Sequence, residues 1–399
     1  YLLWRCRLQA LIIHARRTGY GVIRSLYDLG VRVIVADDER TPVFHSNKVA
    51  ETYVLPHITS VSNDEYLALL LELGKQNFTG QKILVFTGKD DYLLFFSKNY
   101  QALSKYFVLS FESDYLKLRT VLGKKSLSKI ATAAGVKIPL TLTDESSDSE
   151  FQKISYPVII KPDFKNLPDL DVVSKAFRLM VCRDDAELSR ARQKLSSLGL
   201  EYVVQKYISG GDDKLFTVGT YFFNGKLLGY SMARKIRQFP MNTGECSFGE
   251  LINDDSLVST CSILGKETNL TGICQIEFKK MGEDYFLIEI NPRVWSWHQI
   301  HTKAGVDLVA ICAKKIFGLS SDEFTKPTSE IKGYWHFSLM DLLHNVILNR
   351  NVSFFHWLKD VFRADIHAFY SKDDLKPVFS HWGKTISYVV REVVKHQKK

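Results

Sequence analysis

The residues best placed to do chemistry lie in two short segments near position 280. Gln275-Ile276-Glu277-Phe278 reads as one strand and Phe286-Leu287-Ile288-Glu289-Ile290-Asn291-Pro292-Arg293 as a second, with residues 279–285, including Gly282, as the turn between them. Side chains two apart on a strand share a face, so Glu289, Asn291 and Arg293 are expected to point one way, and Glu277 on the paired strand to join them. Two carboxylates and an amide oxygen suit Mg²⁺, a hard cation that completes its shell with phosphates and water. An arginine beside them suits a phosphate or a carboxylate. Polar groups inside so apolar a strand are costly unless they are used.

Two further segments supply the other half of such a site. Tyr156-Pro157-Val158-Ile159-Ile160-Lys161-Pro162 is an apolar strand that delivers one lysine at its end, where a rigid cation can meet phosphate. Tyr202-Val203-Val204-Gln205-Lys206-Tyr207-Ile208-Ser209-Gly210-Gly211-Asp212-Asp213 is a strand, a polar pair, a glycine turn and two acids. That order could read an adenine edge and accept from ribose hydroxyls. Either segment alone would more simply be a solvated strand end.

These residues need elements to hold them. The first ~120 residues alternate strand-like and helix-like signals, as in a layered α/β unit with a parallel sheet. Strands are expected at 10–14, 31–36, 52–55, 82–87 and 106–109, and helices at 22–29, 63–76 and 91–103. Thr18-Gly19-Tyr20-Gly21 is expected as the turn into the first helix; no full G-x-G-x-x-G follows, so a dinucleotide site is not implied. An amphipathic helix at 124–134 stops at Gly135, and the Ser-rich stretch 144–150 reads as a loop or linker. From 156 to 317 short strands mix with helices, and Asn224-Gly225 between apolar runs signals a two-residue hairpin. Beyond Ser320 the chain is rich in aromatics and histidine.

Composition sets the outer limits. At 399 residues the chain is too long for one ordinary core and calls for two or three subdomains. Its 45% apolar and 24% charged residues are those of a globular protein, and no 18-residue apolar run exists. Residues 1–7 lack a long apolar core, so a secretory signal is not expected there. Cys6, Cys182, Cys246, Cys261, Cys274 and Cys312 form no C-x-x-C pair, which fits a reducing, cytoplasmic setting. The net charge of +9 is dispersed and accompanies no nucleic-acid-binding motif, so anionic small molecules are the simpler partner.

Taken together, in this order and at this spacing, the three segments resemble the ATP-grasp superfamily, which includes biotin carboxylase, carbamoyl-phosphate synthetase, D-alanine–D-alanine ligase and D-aspartate ligase-like enzymes. The resemblance runs from about residue 10 to 317. It implies an α/β and α+β chain: a Rossmann-like domain at 1–120, an ATP-grasp domain of two subdomains at 121–320, and a helical extension at 321–399. It implies ATP and Mg²⁺ as cofactors, with Mn²⁺ as a substitute. Lys124 and Lys161 match the nucleotide- and phosphate-contacting lysines; Gln205, Lys206 and Ile208 the adenine hinge; Asp213, or its neighbour Asp212, the ribose acid. Glu277, Glu289 and Asn291 match the metal ligands, and Arg293 the arginine near the reacting groups. Arg234-Lys235 resembles a basic segment facing the acyl phosphate in carboxylate–amine ligase-like members. Residues 163–175 depart from the pattern, since they contain no glycine where many relatives have a glycine-rich lid.

The activity so implied is ligation: ATP phosphorylates a carboxylate, and an amine, an amino acid in the simplest case, displaces phosphate. A kinase-like phosphotransferase and a nucleotide-binding protein without turnover are the alternatives; the intact ligand set weighs against the second. Residues 385–399 carry Ile386, Val389, Val390 and Val393 at helical spacing among lysines. That stripe would suit packing on the body, on a second copy in a homodimer, or weakly on an anionic membrane surface.

Overall fold

The computed structural model describes residues 8–163, 179–241, 244–320, 322–327 and 331–385. Five strands open the chain: β1 (Gln9–Ile13), β2 (Arg32–Asp37), β3 (Glu51–Val54), β4 (Ile83–Thr87) and β5 (Phe107–Leu109). They form one parallel sheet in the order β3-β2-β1-β4-β5. β1 and β4 are buried along their whole length, which is why they read as unbroken apolar runs. The helix after β1 starts earlier than expected, at Arg16–Asp28, and contains the Thr18–Gly21 stretch that the sequence suggested was a turn. The glycines there serve packing: a Cβ on Gly19 would lie 2.6 Å from that of Ala15, and one on Gly21 would lie 2.6 Å from the His298 ring.

A small antiparallel sheet follows, made of β6 (Thr141–Thr143), β7 (Val158–Pro162), β8 (Met180–Cys182) and β9 (Tyr202–Lys206) in the order β6-β9-β7-β8. Alternation decides its two faces. Leu142, Val158, Ile160, Cys182, Tyr202 and Val204 pack on Leu188, Ala191 and Leu195 of the helix Asp185–Ser197. Ile159, Lys161, Val203, Gln205 and Thr141 take the other face by register.

The largest sheet runs β14-β13-β10-β11-β12-β15-β16. Its strands are β10 (Leu215–Phe223), β11 (Lys226–Phe239), β12 (Glu245–Ile252), β13 (Gly272–Met281), β14 (Asp284–Asn291), β15 (Tyr334–His336) and β16 (Ile366–His367). Asn224 and Gly225, at φ 48° and 75°, make the expected hairpin of β10 and β11, with both residues in the left-handed region that such two-residue turns demand. β13 and β14 are longer than the sequence suggested and leave only Gly282 and Glu283 to turn. β14 ends at Asn291 because Pro292 cannot continue the ladder.

Beyond residue 330 the chain is not purely helical. β15 pairs with β12, placing His336 opposite Phe248, and β16 pairs with β15. The helix Phe354–Arg363 packs outside them. Asp374 then reaches back to the first unit, where its carboxylate takes bonds from the Tyr20 and Ser46 hydroxyls and the Asn47 N–H. Of the tail stripe, residues 386–399 lie outside the described residues, as does most of the glycine-poor loop.

Candidate active site

β13 and β14 bring the two glutamates together. Glu277 stands opposite Glu289 in the register, and Gln275 opposite Asn291. Glu277 is buried, and its Oε1 takes bonds from Gln275 Nε2 at 3.0 Å, Thr217 Oγ1 at 3.4 Å and Lys235 Nζ at 2.9 Å, while its carboxyl also bonds Glu289. Burial pushes Glu277 above the usual carboxylate range, against the pull of Lys235 and with the push of Glu289. Burial acts the same way on Glu289, but the Asn291 hydrogen bond, Lys161 and Lys124 outweigh it and hold that group low. Asn291 spends its NH₂ on Glu289 Oε1 at 2.9 Å and on Gln275 Oε1 at 3.3 Å, so its own oxygen is left as an acceptor. Two adjoining acids that share a proton, and an amide oxygen, fit Mg²⁺, which would take the proton's place between them.

The lysines face this pair from three elements. Lys161 ends β7 on the polar face of the small sheet, within electrostatic reach of both glutamates, and burial lowers its pKa. Lys124 begins the helix Lys124–Ala133, and burial lowers it too, against the pull of Asp163. Asp163, the residue after β7, accepts the Lys124 N–H at 2.7 Å and the Lys125 N–H at 3.1 Å. One carboxylate thereby satisfies two orphan donors of that helix and fixes it to the lysine strand. Lys235 is buried, yet Glu277 outweighs burial and holds its ammonium above the ordinary value.

Strand parity separates Arg234 from Lys235. Lys235 lies on the Glu277 face of β11, whereas Arg234 sits opposite Phe216 and Glu250 and gives Glu250 Oε1 a bond of 2.9 Å from Nε. The basic pair expected to face one group is thus split, and only Lys235 reaches the site. Arg293 also departs from expectation. It lies past the end of β14, its N–H bonded to Asn291 O at 2.8 Å, and its guanidinium turns to Asp90 at 2.5 and 3.4 Å. Burial alone would lower Arg293; Asp90 and the two glutamates keep it raised.

Among the residues expected to hold a nucleotide, Gln205 is buried, shares the Lys161 face and donates to Thr141 Oγ1 at 3.1 Å. Ile208 is buried, whereas the Lys206 side chain is exposed on the opposite face, so only its backbone can serve a hinge. Of the two acids, Asp212 is the better held: it accepts Gln238 N at 3.1 Å and Gln238 Nε2 at 2.7 Å. Asp213 is exposed beside Lys214.

Sequence reasoning missed Gln275, Thr217, Gln238, Asp163 and Asp90. Gln275 was within reach, being two positions before Glu277 on one strand face. Asp90 had no local signal, because its partner lies 203 positions away.

No protein-family model matches the chain, and no curated protein does. Solved structures do. An L-amino acid ligase from Bacillus licheniformis superposes with a TM-score of 0.59 at 16% identity over 80% of this chain and 77% of that one. The biotin carboxylase domain of the Hydrogenobacter thermophilus 2-oxoglutarate carboxylase, in complex with MgADP, ADP and bicarbonate, gives 0.59 at 17% over 82% and 73%. N5-carboxyaminoimidazole synthetase from Staphylococcus aureus, complexed with ADP, gives 0.61 at 14% over 84% and 85%. The fold is that of the ATP-grasp proteins.

Proposed function

We propose that this ATP-grasp chain is an ATP-dependent ligase that activates a carboxylate as an acyl phosphate and couples it to an amine, an amino acid in the simplest case. The observation that carries the reading is the adjoining Glu277–Glu289–Asn291 set, faced by Lys161, Lys124 and Lys235. Magnesium, when bound by those three residues, supplies charge neutralisation for phosphoryl transfer.

The chain's own residues do the rest. Lys161 and Lys124 bind the nucleotide phosphates, and Gln205 with the backbone at 206–208 reads the base. Asp212, with Asp213 beside it, accepts from the ribose. Arg293, oriented by Asp90, and Lys235, oriented by Glu277, frame the place where charge develops. A substrate carboxylate oxygen attacks the γ-phosphorus and ADP leaves. The amine nitrogen then attacks the acyl carbon, and phosphate leaves as the nitrogen gives up a proton. Positioning and electrostatics suffice; the described cysteines are buried, Cys182 pushed up to about 11 by burial, so none of these thiols is poised as a nucleophile.

The test is a screen with ATP, Mg²⁺, pooled amino acids and hydroxylamine, read by ADP release and mass spectrometry. A hydroxamate, with an amide replacing it when hydroxylamine is omitted, is the expected result. A stable phosphorylated product formed with no amine present would overturn the ligase reading in favour of a kinase.

A further inference from the structure

The carboxyl edge of the parallel sheet carries a second cluster that the ligase site does not use. His14 follows β1, Asp37 and Asp38 close β2, and His57 lies just beyond β3. Ligands of open α/β sheets bind at this edge, beyond the strand ends. Donor atoms of His14, Asp38 and His57 all lie within 4.8 Å of one another.

The donors are held rather than loose. His14 is 6% exposed, and its Nδ1 is buried with no hydrogen-bond partner. Its ring stacks on Tyr92 at 5.2 Å between centroids, and its backbone sits at φ 50°, a conformation that a non-glycine residue rarely adopts. His57 commits Nδ1 to Thr59, at 2.9 Å from Oγ1 and 3.3 Å from N, which leaves Nε2 as its donor. Asp38 gives Oδ1 to Arg16 at 2.7 Å and shares a side-chain hydrogen bond with Asp37, which a metal ion would displace. Asp37 stands 3.5 Å behind His14 Nδ1 and is itself fixed by the Asp38 and Arg16 N–H groups at 3.0 and 3.2 Å. Nδ1 does not yet donate to that carboxylate, but a small turn of the ring would make the bond, the usual second layer of a metal–imidazole site, with Nε2 presented forward.

We propose that His14, His57 and Asp38 bind a divalent transition-metal ion of the zinc class, with Asp37 orienting His14. Metal–ligand bonds of about 2.0–2.2 Å set tetrahedral ligands roughly 3.4 Å apart, so donors within 4.8 Å of one another close by at most about 1.4 Å around an ion. Half-buried His57 and Asp38 can supply that movement. Three protein ligands leave a fourth position for water. Arg16 and Lys89 face the same cluster, as do the Tyr66 and Tyr92 hydroxyls near Asp37 and Asp38. Those two cations oppose ions held by charge alone, so Mg²⁺ and Ca²⁺ are disfavoured, whereas two imidazoles select Zn²⁺ or Co²⁺.

The test titrates the metal-stripped full chain with Co²⁺ in the absence of nucleotide, reading visible absorption, with Zn²⁺ as competitor. One equivalent should bind with a tetrahedral spectrum that Zn²⁺ abolishes and a large excess of Mg²⁺ does not. His57→Ala and Asp38→Asn, each checked for an unchanged melt, should lose at least tenfold in affinity, and Glu289→Gln should lose none. Absence of Co²⁺ binding, affinity unchanged in both cluster variants, or loss in Glu289→Gln would overturn the proposal. The ligase assay is independent of this readout.

Discussion

Two buried acids lie at the seven-stranded sheet, Glu277 on β13 and Asp341 at the end of the helix Ser338–Asp341 packed on β11 and β12, and they are treated in opposite ways. Around Asp341, which is fully buried, every lone pair is answered: Arg237 at 2.6 Å, Ser247 at 2.6 Å, Asn345 at 2.8 Å and His336 at 2.9 Å. Burial would raise that carboxyl, but His336 and Arg237 overcome it and hold the group well below its ordinary range. Around Glu277 the partners crowd one oxygen, a second glutamate faces it, and the group is pushed up. A satisfied network specifies and stabilises a structure; one left incomplete costs stability and is kept where something else completes it. The contrast separates a clamp that fixes a helix to the sheet from a candidate site on the sheet itself.

Breaking the clamp should have the largest effect. Asp341→Ala leaves Arg237 and His336 buried without their partner and should cost about 3–5 kcal/mol in urea unfolding. The Asp341 contribution is fully present above about pH 4, the carboxyl value in an unfolded chain, and is lost as pH falls below it toward the lower folded value. The gap in melting temperature between wild type and Asp341→Asn should therefore narrow from pH 7 to pH 3. A gap that widens would reverse the sign assigned here.

Breaking the site should spare the fold. Glu289→Gln should cut turnover by about 10²–10³-fold, as loss of one preorganised electrostatic group does, while the melting temperature stays or rises. Turnover near wild type at limiting Mg²⁺ would remove Glu289 from the ligand set. Lys161→Met should weaken ATP binding by about 1–3 kcal/mol in calorimetry; unchanged affinity would return that lysine to the role of a strand end.

The smallest effect sharpens the boundary between the two regions. Arg234→Gln removes a partly exposed pair with Glu250 and should change stability by about 1 kcal/mol or less, with turnover near wild type. Lys235→Gln, one residue on, should damage turnover. Equal damage from both would mean that the strand face assigned to Arg234 is wrong.

Parity is also where the sequence was most legible and most easily misread. Spacing by two found Glu277, Glu289 and Asn291, and the same rule should have split Arg234 from Lys235. It failed at Arg293, because Pro292 ends the strand before that residue and a partner in the first unit captures it. The apolar runs of the parallel sheet were legible because both faces are covered. Gly19 and Gly21 misled because glycine marks close packing as readily as a turn. β15 and β16 were hidden for another reason: strands of three and two residues carry no periodicity, and only pairing, of β15 with β12 and of β16 with β15, makes them strands.

The Asp374 contact has a consequence for how the chain is made. Tyr20 and Asp374 are 354 positions apart, yet the hydroxyls of Tyr20 and Ser46 are bonded by that one carboxylate. During synthesis the first unit emerges long before its partner, and those hydroxyls wait until residue 374 has left the ribosome. A unit made early is therefore finished only once residue 374 has emerged, and a chain stopped short of this point leaves that early unit incomplete.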